Sequence, residues 1–445
     1  MSTSADYLGI ALEAETFIAS MRRPTEHGCV WSHHAEQPEV TSHSLYNGSA
    51  GVLIYYLELF AATKASRYLD IATTAANDLL HYAATTKKQS VAIYTGWPGL
   101  AFALAEVARV TGDSRYNDGA KLCLDRLRAS ASEIALPSGA TGLGWIEPMP
   151  FSDIHGFTGN REIYDASVGA AGAGFVLLYA AKHNVHAQAL TWAMAVGDRL
   201  LQVADTTKGG LNWALMSDMP FPWSPSNFAH GAAGVGAFMA MLYEATGEHR
   251  YLDAAIGAAN HLRDIASPMG DGHLVAHNTS REGASMFYLS TCHGPAGTAR
   301  LFYLLERITK DATYGEWNNG ALRGLLAMGA PESRSKGFWN NISQCCGDAG
   351  VGDYALNFHH ITRDARYLEL ARREAAELTK RSTAHEHGRS WCQAEHRERP
   401  DFVQSQTGYM QGAAGVGSFL LHLATTLSGA PVKIAFPDTP YVTSG

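Results

Sequence analysis

Gln344-Cys345-Cys346-Gly347-Asp348-Ala349-Gly350 sets the reading of this 445-residue chain once it is placed beside Thr291-Cys292-His293-Gly294-Pro295-Ala296-Gly297. Each stretch puts cysteine within two residues ahead of a Gly-x-x-Gly step, and the two steps lie 53 residues apart. Further steps run from Gly48 to Gly51, Gly96 to Gly99, Gly169 to Gly172, Gly231 to Gly234 and Gly412 to Gly415. Recurrence at such a spacing marks stacked supersecondary units. Apolar runs tend to follow, among them Val52-Leu53-Ile54-Tyr55-Tyr56-Leu57 and Val416-Gly417-Ser418-Phe419-Leu420-Leu421. Hydrophobic on most sides, they predict buried inner helices.

A second marker holds the register. Twenty residues after the first glycine of a step stands Tyr68, Tyr116, Tyr251, Tyr314 or Tyr367, with Thr63, Thr111, Thr246, Thr309 or Thr362 five residues earlier. The tyrosine begins a run that mixes apolar and polar positions at helical period, as in Tyr367-Leu368-Glu369-Leu370-Ala371-Arg372-Arg373-Glu374. These are outer helices with one wet face. Each unit is therefore an inner helix, a tight turn and an outer helix, and seven of them predict a closed all-α toroid over residues 1–445 as one domain. The third unit lacks the tyrosine marker and the seventh runs out near the C-terminus, so Tyr7 to Met21 is the candidate outer helix for closure. Long loops precede the steps and carry Trp145, Phe151, Trp213, Phe221, Trp223, Trp339 and Trp391. All enter inner helices at the same end, which makes that end the expected active face.

Composition bounds the partners. Hydrophobic residues make up 46% of the chain, enough for a large core. A net charge of -8 argues against nucleic acid or an anionic membrane as the main partner, since both need basic patches. No basic segment precedes an apolar run at the N-terminus, and no long uncharged apolar stretch occurs, so a cytoplasmic protein without membrane insertion is expected. Six cysteines, two of them adjacent, do not form a disulfide framework and favour metal or catalytic use.

The residues just ahead of the glycines converge on the active face: Asp165, His230, Cys292, His293, Cys345 and Cys346. Thiolates at helix N-termini are stabilised by the dipole and by free backbone N-H groups. Zinc prefers thiolate and imidazole, and a catalytic site keeps three protein ligands with one position open. Taken singly, each cysteine also reads as a small packing residue beside a glycine; at matching places of neighbouring units, they read as a metal site. Cys292 and His293 could also supply two of the three ligands between them.

The constellation resembles the lanthionine synthetase C-like family: seven Gly-x-x-Gly repeats, a Cys-x-Gly step in the fifth, Cys-Cys-Gly in the sixth and His-Gly in the fourth. That resemblance implies an (α/α)7 double toroid with a zinc ion at its mouth, held here by Cys292, Cys345 and Cys346. It implies a catalytic His230 and an assisting Asp165. It also implies lanthionine cyclisation, the addition of peptide cysteine thiols to dehydroalanine or dehydrobutyrine, with a dehydrated precursor peptide as substrate. No dehydratase or kinase region precedes the repeats, so dehydration is assigned to a separate dehydratase or kinase/lyase protein. Many members have histidine where Cys346 stands and arginine where Tyr288 stands. Two other readings are an (α/α) carbohydrate-active enzyme, to which the aromatic loops are suited, and a zinc-containing peptide-binding scaffold without catalysis.

Overall fold

The computed structural model describes residues 2–148, 158–219, 224–279 and 283–441. Its helices alternate as the two markers predict. The inner helices are α2 (Ser49–Thr63), α4 (Trp97–Thr111), α6 (Ala170–Lys182), α8 (Ala232–Thr246), α10 (Pro295–Thr309), α12 (Asp348–Thr362) and α14 (Ala413–Leu427). Between them run the outer helices α3 (Ser66–Thr85), α5 (Ser114–Ala129), α7 (Ala189–Gln202), α9 (His249–Ile265), α11 (Ala312–Ala327) and α13 (Ala365–Lys380). The N-terminal helix α1 (Ser4–Ser20) packs on α14 and completes the outer layer. The third unit has its outer helix despite the missing tyrosine, because Ala189, Ala193, Val196 and Leu200 form a buried stripe at helical spacing.

The turn between inner and outer helix explains the threonine. In five units its hydroxyl donates to the carbonyl four residues back, at 2.7 Å, and accepts the N-H two residues on. The residue between adopts a left-handed conformation, with φ from 59° to 75° at Lys64, Gly112, Gly247, Lys310 and Arg363. This closes the inner helix and starts the next. The tyrosine is buried: Tyr116 and Tyr251 bond to Asn77 and Asp198 on the preceding outer helices.

Inner helices pack in ring order, and α14 closes on α2. The second glycine of each step makes the approach possible. A Cβ on Gly51 would meet Tyr409 Cβ at 2.8 Å, and one on Gly297 would meet Phe228 Cβ at 2.7 Å. In every unit the neighbour is a residue just ahead of the preceding unit's step, and Tyr409 of the seventh serves the first. The mouth is laced by backbone. The residue two places before each step donates its N-H to the carbonyl of its counterpart in the next unit: Ser167 to Ala229, Ala229 to Cys292, Cys292 to Cys345, Cys345 to Met410, Met410 to Tyr46 and Tyr46 to Tyr94, at 2.7–3.1 Å. Among the described residues, the step from Tyr94 to Ser167 shows no such bond.

The loops at the mouth are not bare. They carry short antiparallel hairpins, including Ser132–Ala135 with Thr141–Gly144, Ser267–Met269 with Gly272–Leu274, and Ser382–His385 with Gly388–Gln393. Trp145, Trp213 and Trp391 are buried, and each indole N-H caps a carbonyl in the last turn of the preceding outer helix, from Leu127, Leu200 and Leu378. These tryptophans tie the hairpins down. Phe151, Phe221 and Trp223 lie outside the described residues.

After α14 the chain turns back among the inner helices. Lys433 pairs with Asp353 at 3.3 Å, the Ile434 N-H donates to Glu58 and Asp438 pairs with Arg300 at 2.7 Å. His422 on α14 joins Glu58 on α2 and Asp353 on α12, at 2.9 and 2.8 Å. Burial alone would depress this imidazole, but the Glu58 and Asp353 carboxylates outweigh it and raise its pKa to about 9. The folded state thus holds the proton more tightly than the unfolded chain. Its stabilisation is complete below about pH 6.5 and is lost as pH rises through about 9. Denaturant unfolding is expected to show stability falling by a few kcal/mol across that window, and His422→Asn should flatten the slope. An unchanged slope in the variant would assign the pH dependence elsewhere.

Candidate metal centre

Cys292 and Cys345 occupy the same rung of the mouth ring in consecutive units, and the N-H of Cys292 bonds to the carbonyl of Cys345 at 3.0 Å. Cys346 is one residue further on. Its sulfur lies 3.2 Å from that of Cys292 and 3.4 Å from that of Cys345, and all three sulfurs fall within 4.8 Å of one another. Two anchors hold the pair. Ser343 Oγ accepts from the N-H of Cys346, and Asp348 at the start of α12 is fully buried between Arg334 and Arg381.

Three free thiols this close cannot ionise independently. Hydrogen bonds from Cys292 and Cys346, and then from Tyr46, hold the Cys345 thiol well below its ordinary range. Burial pushes Cys292 up, and the hydrogen bonds to Cys292 and Cys345 push Cys346 up. Three thiols this close form a soft donor set, the kind that a soft cation can deprotonate fully. The donor set fits zinc. Tetrahedral coordination with sulfur at about 2.3 Å needs sulfur-sulfur edges of about 3.8 Å, so the sulfurs at 3.2 and 3.4 Å need to spread by about half an ångström, and three ligands leave a fourth position open.

Asp165 and His230 come together beside the cysteines. Asp165 Oδ1 accepts the N-H groups of Ser167 and Val168, at 3.0 and 2.7 Å, which leaves Oδ2 to meet His230 Nδ1 at 2.5 Å. Both side chains are buried. His230 follows Ala229, whose N-H is bonded to the carbonyl of Cys292, so the pair sits on the rung next to the cysteines. His293 holds the same register position in the fifth unit, with its ring 5.2 Å from that of His230. Its Nδ1 is buried without a hydrogen-bond partner, and burial pushes its pKa well down, so it forms a neutral wall.

The sequence reading named Tyr288 and Trp339 in the rest of the wall but missed His277 and Arg397. His277 stacks on Tyr288 with centroids 4.5 Å apart, and Tyr288 packs with Trp339 against Cys292 and Cys346. Arg397, from the loop after the Gly388–Gln393 strand, donates Nε to the Tyr288 hydroxyl at 3.0 Å. Neither His277 nor Arg397 sits in the repeat register, so no spacing pointed to them. The buried tryptophans Trp145, Trp213 and Trp391 present no face on which a sugar ring could stack.

A family model described as "Lanthionine synthetase C-like protein" matches residues 39–431. Among solved structures, the nisin cyclase is similar at 14% identity and a TM-score of 0.59, with 86% of this chain and 88% of that chain covered. Cellobiose 2-epimerase from Bacillus thermoamylovorans is similar at 10% identity and a TM-score of 0.51, with coverage of 95% and 99%. D-mannose isomerase is similar at 13% and 0.50, with coverage of 94% and 97%. At these identities the likenesses show a shared helical toroid. None of the curated proteins compared matches the chain. Among the described residues no helix is long and apolar enough to cross a membrane.

Proposed function

Because the chain belongs to the lanthionine synthetase C-like family, we propose that it is a zinc-dependent lanthipeptide cyclase. It adds cysteine thiols of a precursor peptide, dehydrated by a separate protein, to dehydroalanine or dehydrobutyrine and so forms lanthionine and methyllanthionine rings. The observation that carries this reading is the convergence of Cys292, Cys345 and Cys346 beside the Asp165–His230 pair.

Cys292, Cys345 and Cys346 would hold the zinc ion, which when bound lowers the pKa of a substrate thiol so that a thiolate is available near neutral pH. His230 takes the thiol proton and returns it to the α-carbon after the sulfur has added to the β-carbon. Asp165 keeps the imidazole oriented through Nδ1, so that Nε2 is the atom that exchanges the proton. His293, Trp339 and Tyr288 exclude water from the sulfur. The test is incubation with a dehydrated, cysteine-containing peptide. Cyclisation leaves mass unchanged, so it is read as loss of alkylatable thiol. Thiols that stay fully alkylatable would count against a cyclase and in favour of a binding scaffold.

Cysteine at 346 in place of histidine gives the ligand set a third negative charge, which keeps the substrate sulfur nucleophilic. Cys346→His is expected to retain the metal and to slow cyclisation by about tenfold. Equal rates with zinc retained would refute this account of the third thiolate.

A further inference from the structure

Addition of a thiolate to the β-carbon of a dehydro residue forms the S–C bond and drives the C=C electron pair toward the carbonyl oxygen, which becomes an enolate oxyanion. A donor aimed at that oxygen lowers the barrier. His230 is engaged with the α-carbon proton, and Asp165, with the cysteine thiolates, adds only negative charge. The oxygen therefore needs a donor from elsewhere on the wall.

The geometry points to Tyr288 as that donor and to Arg397 as the residue that positions and polarises it, an inference that rests on the cyclase reading above. Tyr288 is 7% exposed and packs against Cys292 and Cys346, with one face on His277 and an edge toward Trp339. Its hydroxyl oxygen accepts from Arg397 Nε at 3.0 Å, which leaves the hydroxyl proton to be given to a substrate carbonyl. A phenol that accepts from a guanidinium is a stronger donor, because the cation draws electron density from its oxygen.

Arg397 is held where this requires. Ala394 is fully buried, its N-H donates to the Asn340 carbonyl at 2.9 Å, and its own carbonyl receives Trp339 Nε1 at 2.8 Å and Asn341 Nδ2 at 3.1 Å. Three residues on, the Arg397 side chain is 30% exposed and also pairs with Glu398. Its charge reaches Tyr288, His277 and His293 together, a cation balancing a thiolate-rich centre. The step balances: the thiol proton passes to His230 and then to the α-carbon as the enolate collapses, while Tyr288 keeps its own proton throughout.

Two readouts test it. The first uses a dehydrated peptide without cysteine, carrying a 13C-labelled dehydroalanine carbonyl, so that nothing turns over. Its infrared carbonyl band should move to lower frequency on the wild-type protein and return toward the free value in Tyr288→Phe. The second is cyclisation of the cysteine-containing peptide. Tyr288→Phe should lose about 10²-fold in kcat with KM and zinc content unchanged. Arg397→Gln should slow the wild type but add no further loss to Tyr288→Phe, and Arg397→Lys should restore part of the rate. A wild-type enzyme that cyclises, with Tyr288→Phe equal to it or with the two losses multiplying, overturns the inference alone. A wild type that neither binds nor cyclises the peptides overturns the cyclase reading and this inference with it.

Discussion

Cys345→Ala is expected to take the protein from about one zinc per chain to none, and to lower cyclisation by more than about 100-fold. Cys345 is one of three sulfurs within 4.8 Å of one another, and its removal leaves two donors where the site needs three. Alanine keeps the backbone bonds from Cys292 N-H and to the Met410 carbonyl, so the mouth ring should stay intact. Helical circular dichroism unchanged from wild type would confirm that the metal was lost without unfolding. Zinc is to be measured on protein purified without added metal, beside Cys292→Ala, Cys346→Ala and the exposed Cys392→Ser as a control. Zinc that survives all three alanine substitutions would remove the cysteines as ligands and the cyclase mechanism with them.

His230→Asn is expected to slow cyclisation by about 10²- to 10⁴-fold while zinc stays bound. Asparagine cannot carry a proton from thiol to α-carbon, and delivery then falls to solvent from either face. The ring product should become a mixture of diastereomers, which hydrolysis and chiral analysis would show. Asp165→Asn tests the orienting role separately. Its amide oxygen can still accept from Ser167 and Val168, but its NH2 would face His230 Nδ1 and turn the imidazole to the other tautomer. A loss of about 10²-fold is expected there, again with metal retained. Wild-type rates and a single diastereomer in both variants would exclude the pair from proton transfer.

The helical scaffold was legible because its causes are local. An apolar run after each glycine step, a threonine that ends the inner helix and a tyrosine that anchors the outer one all act within a few residues of themselves. The closing helix proposed over Tyr7 to Met21 is found as α1, Ser4–Ser20. Where a marker was absent, as in the third unit, the buried stripe of α7 carried the helix alone. The loop tryptophans misled in part. Their frequency suggested an aromatic face, whereas Trp145, Trp213 and Trp391 lie inside as caps on the outer helices. A tryptophan's partner in a hairpin that folds back is not set by neighbouring residues.

The sequence by itself determined the seven units, their register and the candidate residues Asp165, His230, Cys292, Cys345 and Cys346, since all stand at fixed offsets from glycines that must lack a Cβ. Tertiary structure alone decided that three sulfurs from two units meet within 4.8 Å, that Asp165 grips His230 across 65 residues, and that Tyr288 meets Arg397 across 109. The reason is physical. Register positions are set by short-range helix and turn energetics, but the distance between two units depends on how tightly the ring closes. That closure is set by backbone bonds around the mouth and by glycine contacts running from Gly51 on to Tyr409. Arg397 and His277 sit on loops outside the register, so only the folded ring could bring them to the site.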